Sequence, residues 1–275
     1  MAITTNDQYV AAAKQDIQLI KTGNIAVTQP ATGWWSCFAA AGNPGAGTIA
    51  TLGAATTGSV PNDTVAGFPS INAFGVSAKG YITGVEFSNT IACRMAIDDV
   101  LWSSASVSLA AAATTSFSGN PSYSSRLSPA NDYTGTRLFM AINTAVTTTS
   151  PVVIVTYTNQ AGTAGRTTGS VTLPAVGSLL VGRLVELPLQ AGDSGIQSIQ
   201  SIQVVTPGAA GACNLWVVRN VWTGRVKIVN DGGVQNLYDV GIPEIFTDSA
   251  LALRIITDTA VNTGLPEVML QISNA

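Results

Sequence analysis

Two short segments of this chain hold the residue types that catalysis or metal binding would need. Asp98-Asp99 is its only adjacent acidic pair, and Gly192-Asp193-Ser194-Gly195 has the flanking glycines found around some hydrolytic serines. Neither pattern extends further. A calcium cage takes about six to eight oxygens at fixed spacing, and adjacent carboxylates on a strand diverge, so the acidic pair is expected at a solvated edge or turn. A serine nucleophile needs a base, and the chain contains no histidine, which removes the commonest general base and metal ligand together. Only Lys14, Lys21, Lys79 and Lys227 could complete a serine–lysine pair. Residues 192–195 are therefore read as a tight turn entering a strand at Ile196. The run Gly42-Asn43-Pro44-Gly45-Ala46-Gly47 lacks the Lys-Ser/Thr ending and the following helix of a phosphate loop. No catalytic residue, cofactor or metal site is expected.

Five tryptophans, Trp34, Trp35, Trp102, Trp216 and Trp222, could instead offer platforms to sugar rings. Trp102 and Trp222 fall at matching places of an internal repeat, which favours packing. Ala92-Cys93-Arg94-Met95-Ala96-Ile97 runs on to Leu101-Trp102, and Ala212-Cys213-Asn214-Leu215-Trp216-Val217 runs on to Val221-Trp222. Thr144-Ala145-Val146, leading to Pro151, is likewise echoed by Thr259-Ala260-Val261, leading to Pro266. The cysteines lie 120 residues apart and the prolines 115, two matches in one order at nearly one offset. Asp98 and Asp99 are matched by Val218 and Arg219, so the duplicated scaffold does not require the acids. Cys37, Cys93 and Cys213 are read as buried free thiols of a chain made in a reducing cytoplasm.

The elements that position these residues read as β. Short apolar or alternating runs such as residues 81–87, 152–158, 225–229 and 250–256 are separated by Gly, Pro and Asn without crossover helices. The expected fold is all-β, with two tandem antiparallel β-sandwich (jelly-roll-like) units at 70–175 and 176–275. Residues 1–69 are expected to form a helix and an extended arm. The helix is placed at 6–21, where Tyr9, Ala13, Ile17 and Ile20 make a stripe and Gly23 follows as a cap. In the arm, Trp34 and Trp35 point to opposite sides.

Composition narrows the function. Of 275 residues 46% are hydrophobic and only 10% charged, against about 25% charged in an average soluble protein. A net charge of −3 leaves no basic field for nucleic acid. No apolar run approaches the roughly 18 residues of a membrane helix, and Met1 to Asp7 lacks the basic residues of a secretion signal. A mean hydropathy of +0.33 then points to subunit contacts.

Ile3-Thr4-Thr5-Asn6-Asp7-Gln8-Tyr9, the 41–47 loop, Asn131-Asp132-Tyr133-Thr134-Gly135, Tyr157-Thr158-Asn159-Gln160, residues 187–195 and Trp222-Thr223-Gly224-Arg225 resemble a group of tailed-bacteriophage virion proteins of the capsid-decoration (cement) kind. The resemblance spans most of the chain but rests on loops and turns. It implies a non-enzymatic protein on the capsid surface, made in the host bacterial cytoplasm. Its implied partners are the major capsid protein and copies of itself, as a homotrimer, with no nucleic acid and no membrane. Tyr9, Ile17, Trp34 and Trp35 are the expected subunit or capsid contacts. The alternatives are a tail, collar or baseplate component, or a glycan-binding adhesion module.

Overall fold

The structure is a computed structural model that describes residue 5 and residues 13–21, 33–74, 79–241, 243–258 and 264–274. The first half of the chain gives β1 (Ala13–Lys21), β2 (Trp34–Ser36), β3 (Gly42–Asn43), β4 (Lys79–Asn89), β5 (Cys93–Ser103), β6 (Val107–Ser108), β7 (Ala113–Ser116), β8 (Thr136–Thr144) and β9 (Val152–Asn159). The second gives β10 (Arg166–Thr167), β11 (Val171–Thr172), β12 (Arg183–Leu187), β13 (Ile196–Thr206), β14 (Ala212–Val226) and β15 (Asp231–Gln235). A four-residue helix α1 (Leu237–Val240), β16 (Glu244–Phe246), β17 (Leu251–Thr257) and β18 (Glu267–Asn274) complete it. All pairings between these strands are antiparallel. The all-β expectation holds.

The helix expected at 6–21 does not hold where it is described. Residues 13–21 are β1, which lies antiparallel along β18 with Ile17 opposite Leu270. Ile17 and Leu19 are buried while Asp16 and Gln18 are exposed, a period of two rather than 3.6. The free edge of β18 supplies the ladder that an isolated short helix lacks. Residues 6–12, Tyr9 among them, lie outside the described residues.

Strands β5, β17, β2, β12, β8 and β14 pair in that order, and β14 returns to β5, closing a six-stranded ring. A six-stranded sheet (β15-β4-β18-β1-β3, with β16 also on β4) covers one flank. A five-stranded sheet (β10-β9-β13-β7, with β11 also on β9) covers the other. Ring strands are therefore buried on both faces. In β8, Leu138, Met140 and Ile142 join one core with Val153, Val155, Tyr157 and Ile199 of the five-stranded sheet. Phe139 and Ala141 turn instead into the ring, with Trp216, Val218 and Leu184. On the opposite side Met95, Ile97, Leu253 and Ile255 pack on Ile82, Val85, Leu270 and Ile272. Double burial explains why β5 and β14 read as continuous apolar runs rather than alternating ones.

The strand registers around the two Cys segments correspond. Leu251 opposes Asp99 as Thr136 opposes Arg219, and Thr257 opposes Cys93 as Ile142 opposes Cys213. In the flanking sheets Ile272 opposes Ile82 as Tyr157 opposes Ile199, each beside a bulge. Trp35 opposes Ile255 as Val185 opposes Met140, so β2 and β12 are also equivalent. A local two-fold passes where equivalents meet themselves: Asp99 opposite Arg219, and Trp34 opposite Leu184. The correspondence of registers runs from β1–β9 to β10–β18 and takes in the segment expected to be a separate arm. The sheets do not follow the divisions expected at 69 and 175. Among the described residues, every strand pairing except β1–β3 joins a strand of residues 13–159 to one of residues 166–274.

Candidate functional site

Asp98 and Asp99 do diverge on β5, but neither is solvated: they are 3% and 0% exposed. Asp99 sits on the local two-fold and takes both arms of a fork from Arg126, whose own side chain is fully buried. It also accepts from Ser249 Oγ and from the Ala250 amide at 2.9 Å each, with Arg219 at 3.6 Å. Asp98 is bound by Arg254 and accepts from Asn220 Nδ2 at 2.9 Å. A ring strand with both faces covered has no solvated side, so each carboxylate carries its own cations inward. Both oxygens of each carboxylate are engaged, and among the described residues no group of three His, Cys, Asp or Glu could hold a metal.

Residues 192–195 form the expected turn, with Gly192 at φ 88°, where a Cβ would be strained. Asp193 accepts from Tyr157 Oη and Asn159 Nδ2 at 2.7 Å and from Arg166 Nε at 2.9 Å. Tyr157 Oη in turn accepts from the Gln190 amide at 2.7 Å. Ser194 lies exposed beside an open groove of about 630 Å³, where Arg137 and Glu186 close on each other through two 2.7 Å bonds. The arrangement pins the β9 end to the turn before β13 rather than activating a hydroxyl. Arg166, then Asn159 and Tyr157, hold the Asp193 carboxyl down at about 2, while burial first and Asp193 second push the Tyr157 phenol up to about 12.

This yields a prediction for acid. A carboxylate whose folded value lies below its unfolded one contributes stability that is full above the unfolded value, near 4, and is lost as pH falls toward 2. The contribution of Asp193 at neutral pH is about 1–2 kcal/mol. The urea midpoint of the parent is expected to drop between pH 4 and pH 2 more steeply than that of Asp193→Asn. Parallel profiles would show that the network is not stabilising.

The three cysteines are free and buried, and burial pushes Cys37 and Cys213 each up to about 12. None is poised as a nucleophile. The tryptophans are interior too: Trp35, Trp102, Trp216 and Trp222 are buried, and half-buried Trp34 carries the Arg254 guanidinium 4.0 Å from its ring. Ile17 and Trp35 belong to the core between ring and six-stranded sheet. They are committed to this chain's interior and are not available to grip a neighbour, which corrects the contacts expected for them. Trp34 stands against Leu184 on the two-fold, so the expected outward face of the Trp pair is the ring interior.

Four of the seven exposed large hydrophobic residues among those described fall within residues 228–238, from the end of β14 into α1. Ile228, Val229, Val234 and Tyr238 are 67%, 58%, 75% and 92% exposed. The other half provides an internal comparison, because Thr114 follows Asp99 at the same spacing as Val234 follows Arg219. Val234 opposes Glu86 as Thr114 opposes Gln203. Ile228 matches Ser108, which is also exposed. Val229 matches Leu109, which is fully buried because the 207–211 loop bonds to its backbone on both sides (2.9 and 2.8 Å). The shorter connection between β4 and β5 provides no such cover. Equivalent positions are thus polar or covered in one half, and apolar and bare in the other. Sequence reading missed this surface because residues 225–229 pass for an ordinary strand end. Aligning Val107-Ser108-Leu109 with Lys227-Ile228-Val229 exposes the changed phase.

No family model matches the chain, and no curated protein matches it. Among solved structures it is similar at a low level to the VP2 subviral particle of infectious bursal disease virus, with 10% identity, 99% of this chain and 81% of that chain covered, and a TM-score of 0.18. It is similar also to T=1 particles derived from that virus, with 9% identity, 95% and 78% covered, and a TM-score of 0.17. Scores of this size lie below those of a shared fold and carry no weight for function.

Proposed function

We propose that this chain is a non-enzymatic structural protein of a virus particle, and specifically a decoration protein on the head of a tailed bacteriophage. The observation that carries the reading is the set of bare apolar side chains Ile228, Val229, Val234 and Tyr238 within one eleven-residue stretch, on a scaffold whose other half is polar at the matching exposed sites. Water penalises such a patch and a protein partner removes the penalty. The low charge of the whole chain and the phage-like loops support the same assignment. The candidate acids are engaged in internal networks, which supports a role without chemistry. The proposed partners are the major capsid protein and sister copies, three around a lattice three-fold. Binding only the assembled lattice stabilises it by mass action. A tail, collar or baseplate position has the same surface requirements and differs in location alone. The glycan-binding alternative loses its platforms, since the tryptophans face inward.

Shells assembled without this chain, titrated with the purified protein, test the proposal. Ile228→Ser with Val234→Thr, which copy the other half, and Tyr238→Ser are expected together to weaken binding by at least about 100-fold, given roughly 1.5–3 kcal/mol per large apolar side chain buried. Folded stability should stay within about 0.5 kcal/mol, as for exposed sites generally. A triple variant that binds as tightly as the parent would overturn the assignment of this surface.

A further inference from the structure

We infer that the two halves of this chain are obligate binding partners, so that the fold is an intertwined dimer whose subunits happen to be covalently joined. The ring alternates strictly between halves: β5 from the first, β17 from the second, then β2, β12, β8 and β14. The flanking sheets do the same, since β4 lies between β18 and β15, and β9 lies between β10 and β13. Removing the second half therefore leaves the first with a single two-residue pairing, β1 with β3, and removing the first leaves the second, among the described residues, with none. The strands of either half alone would present unpaired edges on both sides and apolar faces on both faces, a state that aggregates or stays unfolded. The connection between the halves, by contrast, contributes little to the interior. Residues 161–165 are all exposed, and Gly162 and Gly165 take φ of 79° and 73° in the turn.

This inference is independent of where in a particle the protein sits. Its test begins with the full chain carrying a specific protease site after Thr163. After cleavage of the folded protein, the two pieces are expected to co-elute as one species of the parent's 28.1 kDa and to keep its circular dichroism. When denatured and returned to buffer, they should refold with a rate that falls tenfold on tenfold dilution, while the uncut chain refolds independently of concentration. Pieces that separate on the column, each still folded, would overturn the proposal. Amide exchange in the unmodified protein provides a second reading that needs no insertion. Strands β5, β8, β14 and β17 should open together with one free energy, and two sets of opening energies sorted by half would contradict the inference.

Discussion

Asp99→Ala is expected to be the most destabilising single substitution at a charged position of this chain. The side chain is fully buried and holds Arg126, Arg219, Ser249 and the Ala250 amide at the point where the two-fold crosses the ring. Removing it leaves the Arg126 guanidinium inside, with only the carbonyls of Pro61 and Val100 to accept from it. Breaking a buried pair from one side costs about 3–5 kcal/mol, a large share of the roughly 5–15 kcal/mol that holds a domain folded. The melting temperature should fall on the order of 10 °C. The asymmetry of the effect is diagnostic. Asp99→Leu combined with Arg126→Met should recover part of the loss, because it removes the buried guanidinium that the single change strands and leaves the less buried Arg219 to the Glu244 carbonyl. Equal destabilisation by the single and the double change would mean that packing, not charge, governs the site.

Trp216→Ala should have a comparable effect through a different cause. Trp216 is buried inside the ring, edge-on to Phe38 at 6.0 Å. Its equivalent across the two-fold is Ala96, also fully buried. The same imbalance recurs where Trp34 matches Leu184. Side chains that meet near a two-fold must fill one shared space, so large and small residues alternate between the halves. Truncating a buried Trp costs about 3–5 kcal/mol because the surroundings close only partly over the cavity. The reciprocal change Ala96→Trp overfills the same space and is expected to yield no soluble folded protein. Denaturant unfolding measures the first and expression with size-exclusion chromatography the second. A folded, stable Ala96→Trp would show that the ring interior has room the asymmetry does not require.

Much of this architecture is visible in the residues, and what is not has a definite physical origin. Short runs broken by Gly, Pro and Asn give antiparallel β, and the Cys93 and Cys213 segments resemble each other because β5 and β14 take matching registers and are buried alike on both faces. The outer limits of the repeat are invisible because β2 and β12 share position but not residues: Trp34-Trp35 stands where Leu184-Val185 does. Nor does strand periodicity say which neighbour a strand takes. Residues alternating along β9 fit a core face whether the adjacent strand belongs to the same half or the other. Separate sandwiches were the simplest reading, and interleaving is a property of pairing alone. The helix expected across Ile17 and Ile20 failed for a related reason. Asp16-Ile17-Gln18-Leu19 satisfies period two, and the edge of β18 decides between the two periods. Asp98-Asp99 looked solvated because a sequence does not show that Arg126, Arg219 and Arg254 converge on it from distant segments.

The most direct measurement for the functional account is a reconstruction of the native particle to a resolution that traces strands. The account predicts this six-stranded ring in repeated copies on the outer head surface, with the turn between β14 and β15 pressed against the shell or a sister copy. Particles in which the chain is absent, or is present with Ile228, Val234 and Tyr238 facing open solvent, would contradict it.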